Sequence, residues 1–329
     1  MNRRTFVTSV AAAGSASVIG LKPGAGHAEP SPETTQIRLA RFPEGVDVAC
    51  LGPMWIAEEL LRAEGFSRVE YVTYRGTLDD LGAGKQDIIL FDVPEVVLAL
   101  DEGKPIVVLS GIHGGCYELF GSNRVRSVAD LRGRTVGVPT RSRRAFVAAM
   151  ASYVGLDPRK DVTFELKPDA YQRFVDGKVD AVLGFPPEPQ KLRAQKIGHA
   201  VLNTTTDRPW SQYYCCMVLA NREFVRRHPV ATKRALRALL KATDICAAEP
   251  ERVARELVTR GYLKEHDLSL QAIRGLPYRR WREYDAADTI RFFALRMHEA
   301  GMIKSSPQKL IAEGTDWRFL NELKKELKG

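Results

Sequence analysis

Two stretches decide how this chain is read: Gly84-Lys85-Gln86-Asp87-Ile88-Ile89-Leu90-Phe91-Asp92-Val93-Pro94-Glu95, and Gly177-Lys178-Val179-Asp180-Ala181-Val182-Leu183-Gly184-Phe185-Pro186-Pro187-Glu188, which lies 93 residues further on. At that offset, positions 84 to 109 carry eight identities in 26 without a gap, ending with Val108-Leu109 against Val201-Leu202. Each copy predicts the same local chain. Gly followed by Lys ends a helix, because Gly adopts the left-handed C-cap conformation without strain. The short apolar run that follows suits a strand buried on both faces. Pro with Glu then opens a new helix, where fixed φ and negative charge are both favoured. Each copy is therefore a piece of an α/β lobe.

Working outward, Ile37 to Phe42, Arg68 to Tyr74, Ile106 to Ile112, Thr135 to Val138 and Val162 to Leu166 read as strands, and Trp55 to Glu64, Ala145 to Val154 and Tyr171 to Asp176 as helices. After Asn221 the pattern turns almost wholly helical, with Val230 to Ala248, Pro250 to Arg260 and Asp285 to Glu299 showing apolar residues every three to four positions. This predicts an α/β chain of two lobes: residues 29–118 with 224–329 as a discontinuous first lobe, 119–223 as the second, and the helical C-terminal segment returning to the first. Facing lobes leave a cleft at the carboxyl ends of their strands, where open α/β sheets bind ligands. Two crossings between lobes make a hinge that closes on a captured molecule.

The N-terminus carries Arg3-Arg4 ahead of a mildly apolar run and the small-residue site Gly26-His27-Ala28, the layout of a secretory signal of twin-arginine type cleaved after Ala28. Its removal takes away Arg3, Arg4 and Lys22 and no acid, lowering the formal charge of +9 by three. What remains contains no long basic block, so nucleic acid is not expected as a partner. Phe6 to Leu21 falls short of the roughly 20 strongly apolar residues of a membrane span. The five cysteines, Cys50, Cys116, Cys215, Cys216 and Cys246, match no zinc or disulfide spacing; they read as small core residues, with one bridge open to them after export.

A family resemblance rests on Ser127-Val128-Ala129-Asp130-Leu131-Arg132-Gly133-Arg134-Thr135-Val136-Gly137-Val138, then Gly155-Leu156-Asp157-Pro158 with Asp161-Val162, Gly177-Lys178-Val179-Asp180-Ala181, Ala220-Asn221-Arg222-Glu223-Phe224, His228-Pro229 and Ala242-Thr243-Asp244. In order and spacing these resemble the periplasmic solute-binding proteins of nitrate/sulfonate/taurine ABC importers, over about residues 36 to 300. The resemblance implies a periplasmic-binding-protein fold of type II. It also implies a periplasmic monomer that binds a small molecule, with a membrane permease and its ATPase as partners. The same superfamily includes binders of thiamine-pyrimidine precursors, and a yeast enzyme making that pyrimidine shares the fold. That enzyme's cysteine-rich run falls where this chain has only Cys215-Cys216.

Candidate ligand contacts follow from where residues sit relative to predicted strand ends. Met54 and Trp55 follow the first strand at a helix N-terminus. Asp92 ends the duplicated strand, where it can meet ligand or cap the next helix. His113 and Tyr117 lie in a Gly-rich run at the first crossing. Thr140, Arg141 and Ser142, with Arg143 beside them, combine hydroxyls, cations and a helix start, which is a site for an anion. Glu188 repeats Glu95 in the second lobe, and Trp210 with Tyr213 suits a planar ligand. No metal ligand set and no cofactor motif is read, and no nucleophile elbow, paired His or phosphate-cradling loop is present. The sequence thus reads as a binding protein without chemistry of its own. Arg141 and its hydroxyl neighbours favour a small organic anion such as a sulfonate or carboxylate, whereas Asp92, Glu188 and the aromatics favour an amino-pyrimidine or aromatic compound. The competing reading is an enzyme on the same fold acting on a pyrimidine or aromatic acid.

Overall fold

A computed structural model describes residues 29–43 and 48–327. The export signal and cleavage site read at 1–28 lie outside the described residues. Among the described residues ten strands occur in chain order: β1 (Gln36–Arg41), β2 (Arg68–Thr73), β3 (Ile88–Asp92), β4 (Ile106–Gly114), β5 (Glu118–Gly121), β6 (Arg134–Val138), β7 (Val162–Leu166), β8 (Ala181–Gly184), β9 (His199–Asn203) and β10 (Tyr214–Asn221). They build two five-stranded sheets, β2-β1-β3-β10-β4 and β7-β6-β8-β5-β9.

The two sheets are built on one plan. In the first, β1 pairs in parallel with β2 and β3, and β10 lies antiparallel between β3 and β4. In the second, β6 pairs in parallel with β7 and β8, and β5 lies antiparallel between β8 and β9. The duplicated stretches are thus β3 and β8, each the inner parallel strand of its sheet, preceded by Gly84 and Gly177 with φ of 70° and 68°. In each lobe the antiparallel strand belongs to the segment that has just arrived from the other lobe.

This corrects the lobe boundary read at 223/224. β10, every residue of which is buried, belongs to the first sheet, so the second crossing lies between Asn203 and Tyr214. A strand apolar on both faces needs the central slot that β3 and β4 offer. The crossings also touch: Thr204 Oγ1 accepts from Cys116 N at 3.1 Å and Tyr117 N at 3.0 Å. Gly115, at φ 41°, lies so close to the Thr205 backbone that a Cβ would come within 2.3 Å of it.

The helical segment after Asn221 folds back on the first lobe. Helix Pro229–Ala248 packs on helices Gly52–Ile56 and Glu58–Ala63, and Glu64 accepts from Arg237 Nη1 at 2.6 Å and Lys241 Nζ at 3.1 Å. Near the C-terminus, Asp316 N donates to Val108 O at 2.9 Å. Helix Ala286–Glu299 packs against both helix Val93–Asp101 of the first lobe and helix Arg141–Tyr153 of the second. No helix of the described residues is long and apolar enough to cross a membrane.

The seating of β10 depends on Gly111. The Tyr214 ring covers it so closely that a Cβ there would lie 2.2 Å from Tyr214 Cγ, while the Tyr214 hydroxyl donates to Trp281 O at 2.6 Å. Gly111→Ala is expected to overpack this contact and lower unfolding free energy by about 2 kcal/mol. Urea denaturation checks it, and an unchanged midpoint would show that the ring moves aside at no cost.

Candidate functional site

Between the lobes lies a cleft of about 780 Å³. Its first wall is aromatic because three successive parallel strands each place a ring at their carboxyl end: Phe42 just after β1, Tyr74 just after β2 and Phe91 within β3. Ring centroids are 5.0 Å apart for Phe42–Tyr74 and 5.2 Å for Tyr74–Phe91, spacings at which such rings attract. The facing wall carries Tyr117 and Phe185, 5.2 Å apart, with the Arg143 guanidinium 5.9 Å and 5.6 Å from their centroids. Phe185 is the duplicate of Asp92 at the 93-residue offset.

Asp92 joins the lobes. Its carboxylate caps helix Val93–Asp101 by accepting from Glu95 N at 3.2 Å, accepts the Ser142 hydroxyl of the second lobe, and lies 3.4 Å from the Tyr117 hydroxyl. Burial pushes its pKa up to about 7 against the lowering effect of the Ser142 hydrogen bond. Beside it, Arg141 spans the cleft as a fork. Its Nε and Nη2 donate to Glu95 at 3.0 Å and 2.5 Å, and its Nη1 donates to Glu102 at 2.6 Å. Thr140 caps the helix that Arg141 opens, accepting from Arg143 N at 3.2 Å. Arg143 Nη1 donates to Glu188 at 2.6 Å, and Glu188 also accepts Phe185 N at 2.8 Å.

Of the residues singled out from sequence, Asp92, Tyr117, Thr140, Arg141 and Ser142 line this cleft together. Arg141 does so with its charge already taken by two carboxylates, so it latches the lobes rather than standing free for an anion. The other six are not among its lining residues. Met54 and Trp55 are core: the helix Gly52–Ile56 is buried under the C-terminal segment, and Trp55 stacks on Tyr262 at 4.9 Å. Glu188 serves the site by holding Arg143. Trp210 and Tyr213 pack into a cluster where the lobes meet, Trp210 on Phe146 and Phe293, and Tyr213 stacked 4.1 Å from Phe292. His113 is wholly buried.

Sequence reading missed the aromatic wall, although one signal was present: a ring at or just past the end of each of the first three strands. It also missed a row across the sheet. Register places Cys216 of β10 opposite Asp92 of β3 on one side and His113 of β4 on the other, so three polar side chains share one face. β-bulges at Cys215 and Ile112 flank this row, as bulges commonly do where a site needs its side chains re-aimed. Cys50 and Cys216 line the floor of the cleft. All five thiols are free and buried, in keeping with their reading as small core residues.

The raised pKa of Asp92 fixes a pH dependence. The folded chain holds this proton between the ordinary Asp value and about 7, so folding binds protons there and stability falls as pH rises through that window. The full shift corresponds to on the order of 4 kcal/mol. Asp92→Asn cannot ionise, so its unfolding free energy should fall less than that of the natural chain between about pH 4 and pH 8. Parallel pH profiles in urea denaturation would show that the carboxyl ionises freely in the fold.

The family profile described as NMT1/THI5 like matches residues 68–253. In Saccharomyces cerevisiae, the 4-amino-5-hydroxymethyl-2-methylpyrimidine phosphate synthase THI5 is 22% identical over 203 residues, which is 57% of this chain and 60% of that protein. The chain thus matches about 60% of the length of that curated relative. Among solved structures, the periplasmic nitrate-binding protein NrtA from Synechocystis PCC 6803 superposes with a TM-score of 0.73 at 16% identity, covering 91% of this chain and 90% of that one. The alkanesulfonate-binding protein SsuA from Xanthomonas axonopodis pv. citri, bound to MOPS, gives 0.68 at 16% identity, covering 88% and 99%. The duplicated sheets and the returning helical segment are those of the periplasmic-binding-protein fold, and with more than half of its length matched this chain belongs to the NMT1/THI5-like family.

Proposed function

We propose that this protein is the exported substrate-binding component of an ABC importer, capturing a planar aromatic or amino-heterocyclic compound such as an aminopyrimidine by closure of the two lobes. One observation carries the choice of ligand. Arg141 and Arg143 are each held by carboxylates, while rings face the cleft from both walls. A small anion would have to break those pairs, whereas a flat ring slides between aromatic walls and presents an amino group to the Asp92 carboxyl. The partners in this reading are a membrane permease and its ATPase, and the protein itself performs no chemistry.

A second reading is favoured by the names of the curated relatives, which are pyrimidine phosphate synthases: an enzyme on this fold acting on a pyrimidine or aromatic acid. The two separate on the fate of the ligand. A compound recovered unaltered after prolonged incubation belongs to a binding protein, and a converted one to an enzyme.

The primary test is a thermal-shift screen of aminopyrimidines, aromatic carboxylates, alkanesulfonates and nitrate. A ligand at 100 times its Kd should stabilise the fold by about 2.7 kcal/mol, and aminopyrimidines or aromatic compounds are expected to do so. Asp92→Asn should then weaken binding about tenfold or more, the scale of a hydrogen bond to a charged group. Stabilisation by nitrate or alkanesulfonates alone would replace this reading with the organic-anion one. For the latch, Arg141→Ala is expected to enlarge the radius of gyration of the ligand-free protein in solution scattering. An unchanged radius would assign lobe contact to the aromatic cluster around Trp210.

A further inference from the structure

Three cysteines far apart in sequence converge beneath the cleft. Cys50 comes from the turn Ala49–Leu51, Cys116 from the first crossing after β4, and Cys216 from β10. Their sulphurs all lie within 4.8 Å of one another, and all three residues are buried. Tetrahedral zinc, with Zn–S bonds of about 2.3 Å, needs sulphurs about 3.8 Å apart, which these can reach by a small contraction. Small core thiols have no need to point at each other, since apolar packing serves each of them as well.

His113 adds an independent observation. It is wholly buried and sits across from Cys216 in the strand register. Its Nδ1 lies 3.0 Å from Gly114 O. A carbonyl can only accept, so the ring proton is on Nδ1 and Nε2 is left with its lone pair. That Nε2 is buried with no hydrogen-bond partner, a costly state for a polar atom inside a protein. A histidine whose other nitrogen donates to a backbone carbonyl is oriented as metal ligands are.

We infer that Cys50, Cys116 and Cys216, with His113 beside them, form a binding site for a single thiophilic divalent cation of the Zn2+ class beneath the floor of the ligand cleft. Charge favours a divalent ion. Three thiolates and a neutral imidazole leave a net charge of −1 around Zn2+, whereas a monovalent ion would leave twice that buried. Cys50 and Cys216 also line the cleft, so the ion would lie next to Asp92, under the ring of a bound ligand.

The test uses the purified mature chain, reduced and free of chelator, with no cleft ligand added, so that its outcome is independent of what the cleft binds. Zn2+ is titrated against a chromophoric chelator, and Co2+ serves as a spectroscopic probe of sulphur ligation. The expected result is one Zn2+ per chain, a thiolate-to-Co2+ charge-transfer band, at least a hundredfold weaker binding in Cys216→Ser, and a 10- to 100-fold loss in His113→Gln, about the range for perturbed metal shells. Cys246→Ser, a buried thiol outside the cluster, should bind as the natural chain does. Cys50→Ala and Cys116→Ala, which alter a turn and a crossing rather than a central strand, give the same test should Cys216→Ser not fold. The proposal is overturned if the reduced chain binds no Zn2+, if binding survives removal of the cluster cysteines, or if the exported protein carries a disulfide within the cluster.

Discussion

The antiparallel insertion of β10 between β3 and β4 is the constraint on which the rest depends. It brings the chain back from the second lobe, pairs the open side of β3, which would otherwise be an edge, ties β4 into the sheet, and starts the helical segment on the correct side of the first lobe. Because β10 is largely apolar and buried on both faces, it has no stable position at a sheet edge. Its register then sets the chemistry of the cleft floor, since the pairing that satisfies its backbone also aligns Asp92, Cys216 and His113.

The same economy recurs at the lobe contact. Helix Arg141–Tyr153 begins at the cleft, and its first turn supplies Thr140 as cap, Arg141 as a fork to Glu95 and Glu102, and Ser142 as a donor to Asp92. A basic first turn is unfavourable against the positive end of a helix dipole. Here the carboxylates of the opposite lobe compensate it, so the local penalty becomes an attraction between lobes. The arginine is a poor anchor for a free anion for the same reason that it is a good latch.

Two aromatic groups of the molecule serve different ends. Phe42, Tyr74 and Phe91 face the open space, whereas Trp210, Tyr213, Phe146, Phe292 and Phe293 pack together where the crossings and helices meet. Both groups are made of residues suited to stacking on a ligand. Only the first lies at the carboxyl ends of parallel strands, the place where an α/β sheet leaves backbone ends and side chains uncovered.

How much could be read without coordinates follows from the range of the interactions involved. Local grammar is enough for the duplicated strand with its Gly start and Pro-Glu exit, the alternation of strands and helices to about residue 220 and the helical segment beyond, because caps, turns and periodicity act over a few residues. The resemblance to solute-binding proteins rests on those same local blocks. Part of the candidate site, Asp92, Tyr117 and the Thr140–Ser142 turn, was legible for that reason, each lying at a strand end, a crossing or a helix start. What required the tertiary structure is what depends on register and crossing. The placement of β10, the burial of Trp55 under Tyr262, the capture of Arg141 by Glu95, and the meeting of Cys50, Cys116 and Cys216 all join residues separated by tens to hundreds of positions. No local pattern records such pairings, because they arise from how two sheets share a chain that crosses between them twice.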